Sequence, residues 1–281
     1  MKEYKSFFKT VEGNEGARCH YPTRLDTYGC GCSHNCAYCY ARSLLSFRGL
    51  WGEPSMVDLR KVAKTIRTKL LPGDVVRLGG MTDCFQAAEA HNHTTLQTIR
   101  LLNHRRVHYL IVTKSPLVAT DAYIAALDPE LAHIQVSITS TDDEISRKIE
   151  PGAPIPDLRI AAVERLQALG FDVAVRLSPF FPPFVNLARI RSIKCDKLLV
   201  EFLRVNAFIA KLMQDYDLSA YSEKVGGYRH LPLNVKRERL ASIDWQGQIS
   251  VCEDVEAHQN YWVENVNANP DDCCNLRITK K

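Results

Sequence analysis

Apolar residues along the chain alternate between helical and strand-like spacing over most of its length. The helical segment "SMVDLRKVAKTIRTKLL" precedes the strand-like "DVVRLGGM". The alternation continues through the predicted strands "HYLIVTKS", "HIQVSIT", "FDVAVRLSPF" and "KLLVEFLRV", which predicted helices separate. Repeated β–α units with apolar strands are typical of a parallel sheet covered by helices. The pattern predicts an α/β fold, a partial (β/α)6 TIM-type barrel, with a doubly wound open sheet as the alternative.

The regular alternation stops near Asp217. Residues 217–281 mix aromatic and charged side chains with three cysteines and the loop-type stretch "NVNANPDD". We therefore expect a barrel domain of residues 1–216 and a C-terminal extension of residues 217–281. The extension is predicted to pack on the barrel and to shape the substrate site.

Composition is that of an ordinary soluble protein, with 46% hydrophobic and 24% charged residues among 281. The net charge of +4 permits an anionic substrate or nucleic acid without indicating either. No segment resembles a signal peptide or a membrane span, so we expect a cytoplasmic protein with no membrane partner. In a reducing compartment, ten cysteines are more often metal ligands or reactive thiols than disulfides.

Four cysteines, Cys30, Cys32, Cys36 and Cys39, lie in the single loop "YGCGCSHNCAYCYARS". The last three form a C-x3-C-x2-C pattern, and soft thiolates suit an iron–sulfur cluster or zinc. Three thiolates on a cluster of four irons would leave one iron open to a substrate or cofactor. A four-thiolate zinc site that includes Cys30 is the alternative, in which case the chain would be a zinc-stabilised nucleic-acid-binding module.

The loop, with an aromatic residue before its third cysteine, resembles the signature of the radical S-adenosylmethionine (SAM) enzymes. "GCSHNCAYCYAR" is further similar to the loop of the spore photoproduct lyase-like (DNA repair photolyase-like) branch. Other motifs of that branch follow in family order: "TDCFQAAE" (Thr82 to Glu89), "VTKS" (Val112 to Ser115), "VSIT" (Val136 to Thr139), "RKIEPGAP" (Arg147 to Pro154) and a helix arginine, Arg159. The resemblance covers about residues 28–184 and implies a barrel of the radical SAM type.

The resemblance also implies a [4Fe–4S] cluster bound by Cys32, Cys36 and Cys39, with SAM on the open iron. Reductive cleavage of SAM then yields a 5′-deoxyadenosyl radical that abstracts hydrogen from the substrate. The residues expected to contact SAM are Tyr38, Thr82, Asp83, Lys114 and Ser137. Tyr40 matches a tyrosine thought to assist return of the radical in the lyases.

The implied activity is that of a lyase or isomerase on a nucleic-acid pyrimidine, in DNA repair or DNA modification. It would need an electron donor of the flavodoxin or ferredoxin type. A radical SAM enzyme acting on a nucleotide, a peptide or a small metabolite is the alternative.

Three further residues are candidates for catalysis. Arg176 and Glu201 interrupt apolar strands, so we expect them to face each other, the SAM ribose or the substrate, although a purely structural ion pair is also compatible. Cys84 replaces a proline of the family motif. It is expected either to donate a hydrogen atom to a substrate radical or to be a small buried cysteine.

The extension carries two further sets of candidate residues. Cys252, Cys273 and Cys274 are candidates for an auxiliary cluster, for a donor thiol or for simple packing. A basic and aromatic set resembles a nucleic-acid surface, with a solvated helix face as the alternative. This set consists of Tyr221, Tyr228, His230, Lys236, Arg237, Arg239 and Trp245.

Overall fold

The computed structural model describes residues 7–12 and 18–278. The strands of the described part, numbered along the chain, are β1 (Phe8–Thr10), β2 (Thr23–Leu25), β3 (Tyr28–Gly29), β4 (Ser55–Met56), β5 (Val75–Leu78), β6 (His108–Thr113), β7 (Ala132–Ser137), β8 (Asp172–Phe180), β9 (Lys197–Phe202), β10 (Glu223–Val225), β11 (Tyr228–His230) and β12 (Gln248–Val251).

The helices of the described part are α1 (Tyr40–Phe47), α2 (Leu59–Lys69), α3 (Glu89–Asn92), α4 (Thr94–Arg105), α5 (Asp121–Ile124), α6 (Asp143–Ile149), α7 (Pro156–Ala168), α8 (Leu187–Arg191), α9 (Ala207–Leu212), α10 (Leu233–Ala241) and α11 (Glu256–Asn265). Short 3₁₀ turns occur at Pro116–Ala119 and Pro182–Phe184. No helix in the described part is both long enough and apolar enough to cross a membrane.

One mostly parallel sheet organises the fold. Its strand order is β1-β2-β5-β6-β7-β8-β9-β12, and every neighbouring pair from β2 to β12 is parallel. Only the edge strand β1 runs antiparallel to its neighbour. The α/β partial barrel is therefore confirmed. Because the strands are parallel, their carboxyl ends meet at one edge, where barrel enzymes place their active sites.

The C-terminal extension contributes to this sheet as well as packing on it. Strand β12 pairs with β9, matching Gln248 with Lys197 and Val251 with Val200. Helix α11 closes over the pair, because Trp262 is fully buried and its ring stacks on Phe202 with centroids 6.3 Å apart. The residues that directly follow β12 therefore arrive at the same edge as those that follow β9.

Candidate active site at the carboxyl edge of the sheet

A cavity of about 230 Å³ opens at the carboxyl ends of the parallel strands. Its wall includes residues from the ends of β5, β6, β7, β8, β9 and β12 and from the cysteine loop. The residues expected from the sequence that line it are Cys32, Cys36, Tyr38, Cys39, Tyr40, Thr82, Asp83, Lys114, Ser137, Arg176, Glu201, Cys252, Cys273 and Cys274. The fold thus brings together, at one cavity, side chains that are far apart in the sequence.

The cysteine loop divides its four thiols unequally. Cys32, Cys36 and Cys39 line the cavity, whereas Cys30 is not part of its wall and has a left-handed backbone with φ 63°. Cys39 also caps helix α1, because its sulfur accepts a hydrogen bond from the backbone N–H of Arg42 at 3.3 Å. The loop therefore presents three thiols to the cavity, not four.

The segment around Gly152 holds this loop in place. The Ala37 N–H donates to the Ile149 carbonyl at 2.8 Å, and the Gly152 N–H donates to the His34 carbonyl at 3.2 Å. A Cβ atom on Gly152 would lie 1.8 Å from the Ser33 carbonyl oxygen, so only glycine permits this approach. The "RKIEPGAP" motif therefore positions the cysteine loop through backbone contacts.

Burial keeps the loop thiols protonated in the absence of a metal. It raises the pKa of Cys32 to about 12 and the pKa of Cys36 well above its ordinary value. Metal binding would displace these protons, since thiolates are the ligands that iron and zinc accept.

The spacing of possible metal ligands distinguishes a cluster from a single ion. Among the described residues, the only set of three or more His, Cys, Asp or Glu side chains with all ligand atoms within 4.8 Å is His230, Glu253 and Asp254. Its carboxylates are already paired, Glu253 with Lys236 at 2.5 Å and Asp254 with Arg204 at 2.6 Å. Within the described residues, the loop thiols do not form a set of this kind.

Asp83 joins three parts of the cavity wall. Its carboxylate accepts hydrogen bonds at 2.8 Å from the Thr113 hydroxyl and from the backbone N–H groups of Phe85 and Lys114. The His34 Nδ1 atom of the cysteine loop lies 3.4 Å from the same carboxylate. Asp83 therefore reaches the cavity, but its oxygens mainly fix the ends of β5 and β6 beside the loop.

A buried polar network lies beneath Tyr38. The Tyr38 hydroxyl hydrogen-bonds with Glu150 and, at 3.0 Å, with Thr139. Glu150 pairs with Arg159 at 2.6 Å, and both side chains are 0% exposed. The Lys114 ammonium lies 3.9 Å from Glu150 and 5.6 Å from the Tyr38 ring centroid. The network fixes Tyr38 and Lys114 at the wall of the cavity.

Sequence reasoning did not assign Glu150 and Arg159 to the site, although both lie within quoted motifs. A charged residue inside the otherwise apolar face of helix α7 is the signal that would have found Arg159, because such a charge must be paired when buried.

Thr82 and Tyr40 both bond to the backbone near the cavity. The Thr82 hydroxyl donates to the Tyr28 carbonyl at 2.6 Å, and the Tyr40 hydroxyl donates to the Gly80 carbonyl at 2.5 Å. The Arg204 guanidinium lies over the Tyr40 ring, 4.9 Å from its centroid. Tyr40 is thereby held between the loop after β5 and the end of β9.

Arg176 and Glu201 face each other across neighbouring strands, with the guanidinium 2.5 Å from the carboxylate. The Arg176 guanidinium also donates to Gln135 Oε1 at 2.7 Å, and the Ser178 hydroxyl donates to Glu201 at 2.7 Å. Burial alone would raise the pKa of Glu201, but Arg176 and Arg204 outweigh it and lower that pKa to about 2. The carboxylate is therefore ionised at neutral pH.

Cys84 does not reach the cavity. It is 1% exposed within the hydrophobic core, and its sulfur lies 3.8 Å from the Leu25 carbonyl oxygen. Burial raises the pKa of the Cys84 thiol above its ordinary value. Of the two roles expected for this residue, its position matches that of a small buried cysteine.

Three of the seven residues in the basic and aromatic set of the extension are buried, whereas Arg237 is exposed. Tyr221, His230 and Lys236 are buried, at 1%, 2% and 1% exposure. The Lys236 ammonium group is paired with the Glu253 carboxylate. These residues are part of the packing between the extension and the barrel.

The three cysteines of the extension lie at the cavity together with a fourth, which sequence reasoning missed. Cys252, Cys273 and Cys274 line the wall, and Cys19 from the N-terminal part of the chain lines it beside them. No local spacing links Cys19 to the others, because it lies more than 200 residues away in the sequence.

Comparison with protein families matches residues 27–193 to the radical SAM superfamily. Among curated relatives, an uncharacterised protein of Mycobacterium tuberculosis is 31% identical over 166 residues, covering 56% of this chain and 49% of the relative. An uncharacterised protein of Methanocaldococcus jannaschii is 27% identical over 164 residues, covering 57% of this chain and 61% of the relative. The matches thus span about half the length of these curated relatives.

Two solved structures share the fold. A spore photoproduct lyase complexed with dinucleoside spore photoproduct has a TM-score of 0.64 at 15% identity, covering 88% of this chain and 79% of that one. SuiB of Streptococcus suis, bound to the precursor peptide SuiA, has a TM-score of 0.56 at 11% identity, covering 86% of this chain and 51% of that one. At these identities the likeness shows the fold alone.

Proposed function

The chain belongs to the radical SAM superfamily, and on that premise we propose that it initiates radical chemistry in the cavity at the carboxyl edge of the sheet. In this proposal Cys32, Cys36 and Cys39 bind a [4Fe–4S] cluster, and the remaining iron binds SAM. When bound, the reduced cluster and SAM supply a 5′-deoxyadenosyl radical that takes a hydrogen atom from the substrate.

The observation that carries the proposal is the division of the loop thiols. Three of them line the cavity and Cys30 does not. A structural zinc site would need a fourth protein ligand, whereas a four-iron cluster with three thiolates keeps one position open.

The residues around the thiols have separate roles in the proposal. Lys114, fixed beside Tyr38 and Glu150, offers an ammonium group to the SAM carboxylate. Tyr38, Thr82 and Ser137 form the remaining wall of the SAM site. Asp83 and Glu150 act as positioning residues, because their oxygens bond mainly to the protein.

The opposite part of the cavity is proposed to bind the substrate. Arg176 and Glu201 form an ionised pair there, with donors and an acceptor that can orient a polar substrate. Tyr40 places its hydroxyl at the Gly80 carbonyl, between the SAM wall and this pair. It is the residue proposed to exchange a hydrogen atom with the substrate radical or with 5′-deoxyadenosine.

The proposed substrate is a nucleic-acid pyrimidine, either a lesion or a modified base, and the proposed activity is that of a lyase or isomerase in DNA repair or modification. Arg18, Arg77, Arg176 and Arg204 line the cavity, and arginine is a residue type that favours recognition of phosphate groups. The spore photoproduct lyase of similar fold holds a dinucleoside lesion. An electron donor of the flavodoxin or ferredoxin type would supply the reducing electron, in the cytoplasm.

Anaerobic reconstitution with iron and sulfide tests the cluster assignment. Cys32→Ala should lose the iron bound at the loop and all formation of 5′-deoxyadenosine from SAM and dithionite. Cys30→Ala is the matched control, because it removes a thiol of the same loop that does not line the cavity. Equal loss of activity in both variants, or zinc as the metal of the loop, would overturn the proposal.

The substrate class is tested separately with a substrate labelled at the hydrogen to be abstracted. Dinucleotide photoproducts and modified pyrimidine oligonucleotides should stimulate formation of 5′-deoxyadenosine and transfer deuterium into it. Transfer from a peptide or a small metabolite, with none from the nucleotides, would retain the radical chemistry and refute the nucleic-acid assignment.

A further inference from the structure

Four thiols outside the cysteine loop line the same cavity. Cys252 directly follows strand β12, Cys273 and Cys274 lie in the C-terminal loop, and Cys19 comes from the N-terminal part of the chain. All four are free cysteines. Three separate chain segments therefore deliver soft ligands to a single place, remote in sequence from Cys32, Cys36 and Cys39.

The four thiols differ in burial but all line the one cavity. Cys273 is buried, and Cys19, Cys252 and Cys274 are partly buried. The cavity therefore holds four thiols in addition to the three of the cysteine loop.

Hydrogen bonds outside the thiols fix this arrangement. Next to Cys19, the Tyr21 hydroxyl donates to Asp272 at 2.7 Å, and the Arg18 guanidinium donates to the Asp254 carbonyl at 2.6 Å. One bond ties the Cys19 segment to the C-terminal loop, and the other ties it to the turn that carries Cys252. The N-terminal segment is therefore held specifically against both of the other cysteine-bearing segments.

The two remaining segments are anchored as well. The Cys252 N–H donates to the Val200 carbonyl at 2.9 Å, which continues the pairing of β12 with β9. The Cys274 N–H donates to the Asp272 carboxylate at 2.8 Å, so Asp272 holds both Cys274 and Tyr21. A cluster of thiols positioned by dedicated backbone and side-chain bonds is a prepared site rather than incidental packing.

The surroundings favour an anionic group at this site. Arg77 and Arg176 line the same cavity as the four cysteines. The buried Nε atom of Arg77 has no hydrogen-bond partner among the described residues. Buried donors without partners cost free energy, so a negatively charged ligand in the cavity would satisfy an unmet requirement.

We propose that Cys19, Cys252, Cys273 and Cys274 bind a second [4Fe–4S] cluster, in which every iron has a protein thiolate. No three of these thiols, all within the described residues, have their sulfur atoms within 4.8 Å of one another, as a zinc ion would require. Four thiolates around a cubane are spaced more widely, with one ligand on each iron. Such a cluster has no open iron and does not bind SAM.

Two variants separate this site from the loop site after anaerobic reconstitution. Wild type should contain about eight irons per chain. The loop variant Cys32→Ala, Cys36→Ala, Cys39→Ala should keep about four, with the Mössbauer and EPR spectra of a [4Fe–4S] cluster that SAM does not perturb. The variant Cys19→Ser, Cys252→Ser, Cys274→Ser should keep the other four, whose EPR spectrum SAM changes.

Cys195→Ser is the matched control, because Cys195 is a partly buried cysteine that does not line the cavity. It should retain about eight irons. Because the triple serine variant changes three side chains at once, the single substitution Cys19→Ser is tested beside it and should change the spectrum of the SAM-insensitive cluster alone.

Each outcome bears on one proposal. About four irons in wild type with none in the loop variant would overturn the second cluster and leave the loop assignment intact. About four irons that the loop variant retains and the serine variant loses would support the second cluster and overturn the loop assignment. Zinc in place of iron in the loop variant would also overturn the second cluster.

Discussion

Substituting Glu150 tests whether the buried network beneath Tyr38 holds the site together. Glu150→Gln removes the charge that compensates Arg159, and both side chains are 0% exposed. Breaking a buried ion pair in this way costs on the order of 3–5 kcal/mol, because a charged group remains buried without its partner. The variant also weakens the position of Lys114, which lies 3.9 Å from the same carboxylate.

Urea denaturation of the cluster-loaded protein under anaerobic conditions measures this cost. With a slope of about 2 kcal/mol per molar urea, the midpoint should fall by roughly 1.5–2.5 M. The matched control is Asp157→Asn, which removes the carboxylate of an ion pair with Arg189 whose side chains are 60% and 43% exposed. Solvent screening limits that pair to about 0–1 kcal/mol.

Equal midpoints for Glu150→Gln and Asp157→Asn would refute the reasoning, because burial would then have no effect on the energy of the pair. A large loss of stability with an unchanged KM for SAM would refute its second part, the positioning of Lys114 by Glu150.

Three further predictions concern single side chains. Glu201→Gln should destabilise the fold by about 2–4 kcal/mol. The pKa of Glu201 is lowered to about 2 in the folded protein. The stability that its carboxylate contributes is therefore fully present above the pKa of about 4.3 in the unfolded chain, and it is lost as the pH falls through the pKa of the folded protein. The urea midpoint of the variant should therefore lie below that of wild type by the same amount at pH values of about 6 and 8. A difference in the free energy of unfolding between the two proteins that changes by more than about 1 kcal/mol between these pH values would contradict this prediction. Tyr40→Phe should keep the iron content and SAM cleavage but reduce product per 5′-deoxyadenosine by about tenfold or more, as measured by chromatography; an unchanged ratio would remove Tyr40 from catalysis. Cys84→Ala should lose about 1–2 kcal/mol of stability and keep its product yield, since the thiol is buried in the core; loss of product with intact SAM cleavage would show that Cys84 takes part.

Local patterns were sufficient to predict the five central strands of the sheet, β5 to β9. The alternation of apolar and polar residues in segments such as "HIQVSIT" indicates which face of a strand is buried. This pattern depends only on residues that are neighbours in the sequence. The meeting of Cys32, Cys36 and Cys39 at one cavity was predictable for the same reason, because they lie within eight residues of one another. The apolar pattern did not predict strand β12, because this strand has only four residues and its first residue is exposed.

Contacts between distant segments were not predictable from the sequence. Nothing near Cys19 indicates that it lines the same cavity as Cys252 and Cys274, since this depends on how β12 and the C-terminal loop return to the sheet. His230 and Lys236 resembled a surface for nucleic acid, yet they are buried against the barrel. The polarity of a residue does not indicate whether it is exposed, because an ion pair can compensate for the burial of its charge.

The most direct test of the central claim is whether the carboxylate of SAM binds the iron left open by Cys32, Cys36 and Cys39. Reduced enzyme is mixed with SAM carrying isotope-labelled carboxylate oxygens, and the hyperfine coupling of the label to the cluster is measured by pulsed EPR. We predict coupling in wild type and in Cys30→Ala, and none in Cys36→Ala. Wild-type protein that shows no coupling, despite a full complement of iron at the loop, would contradict the account.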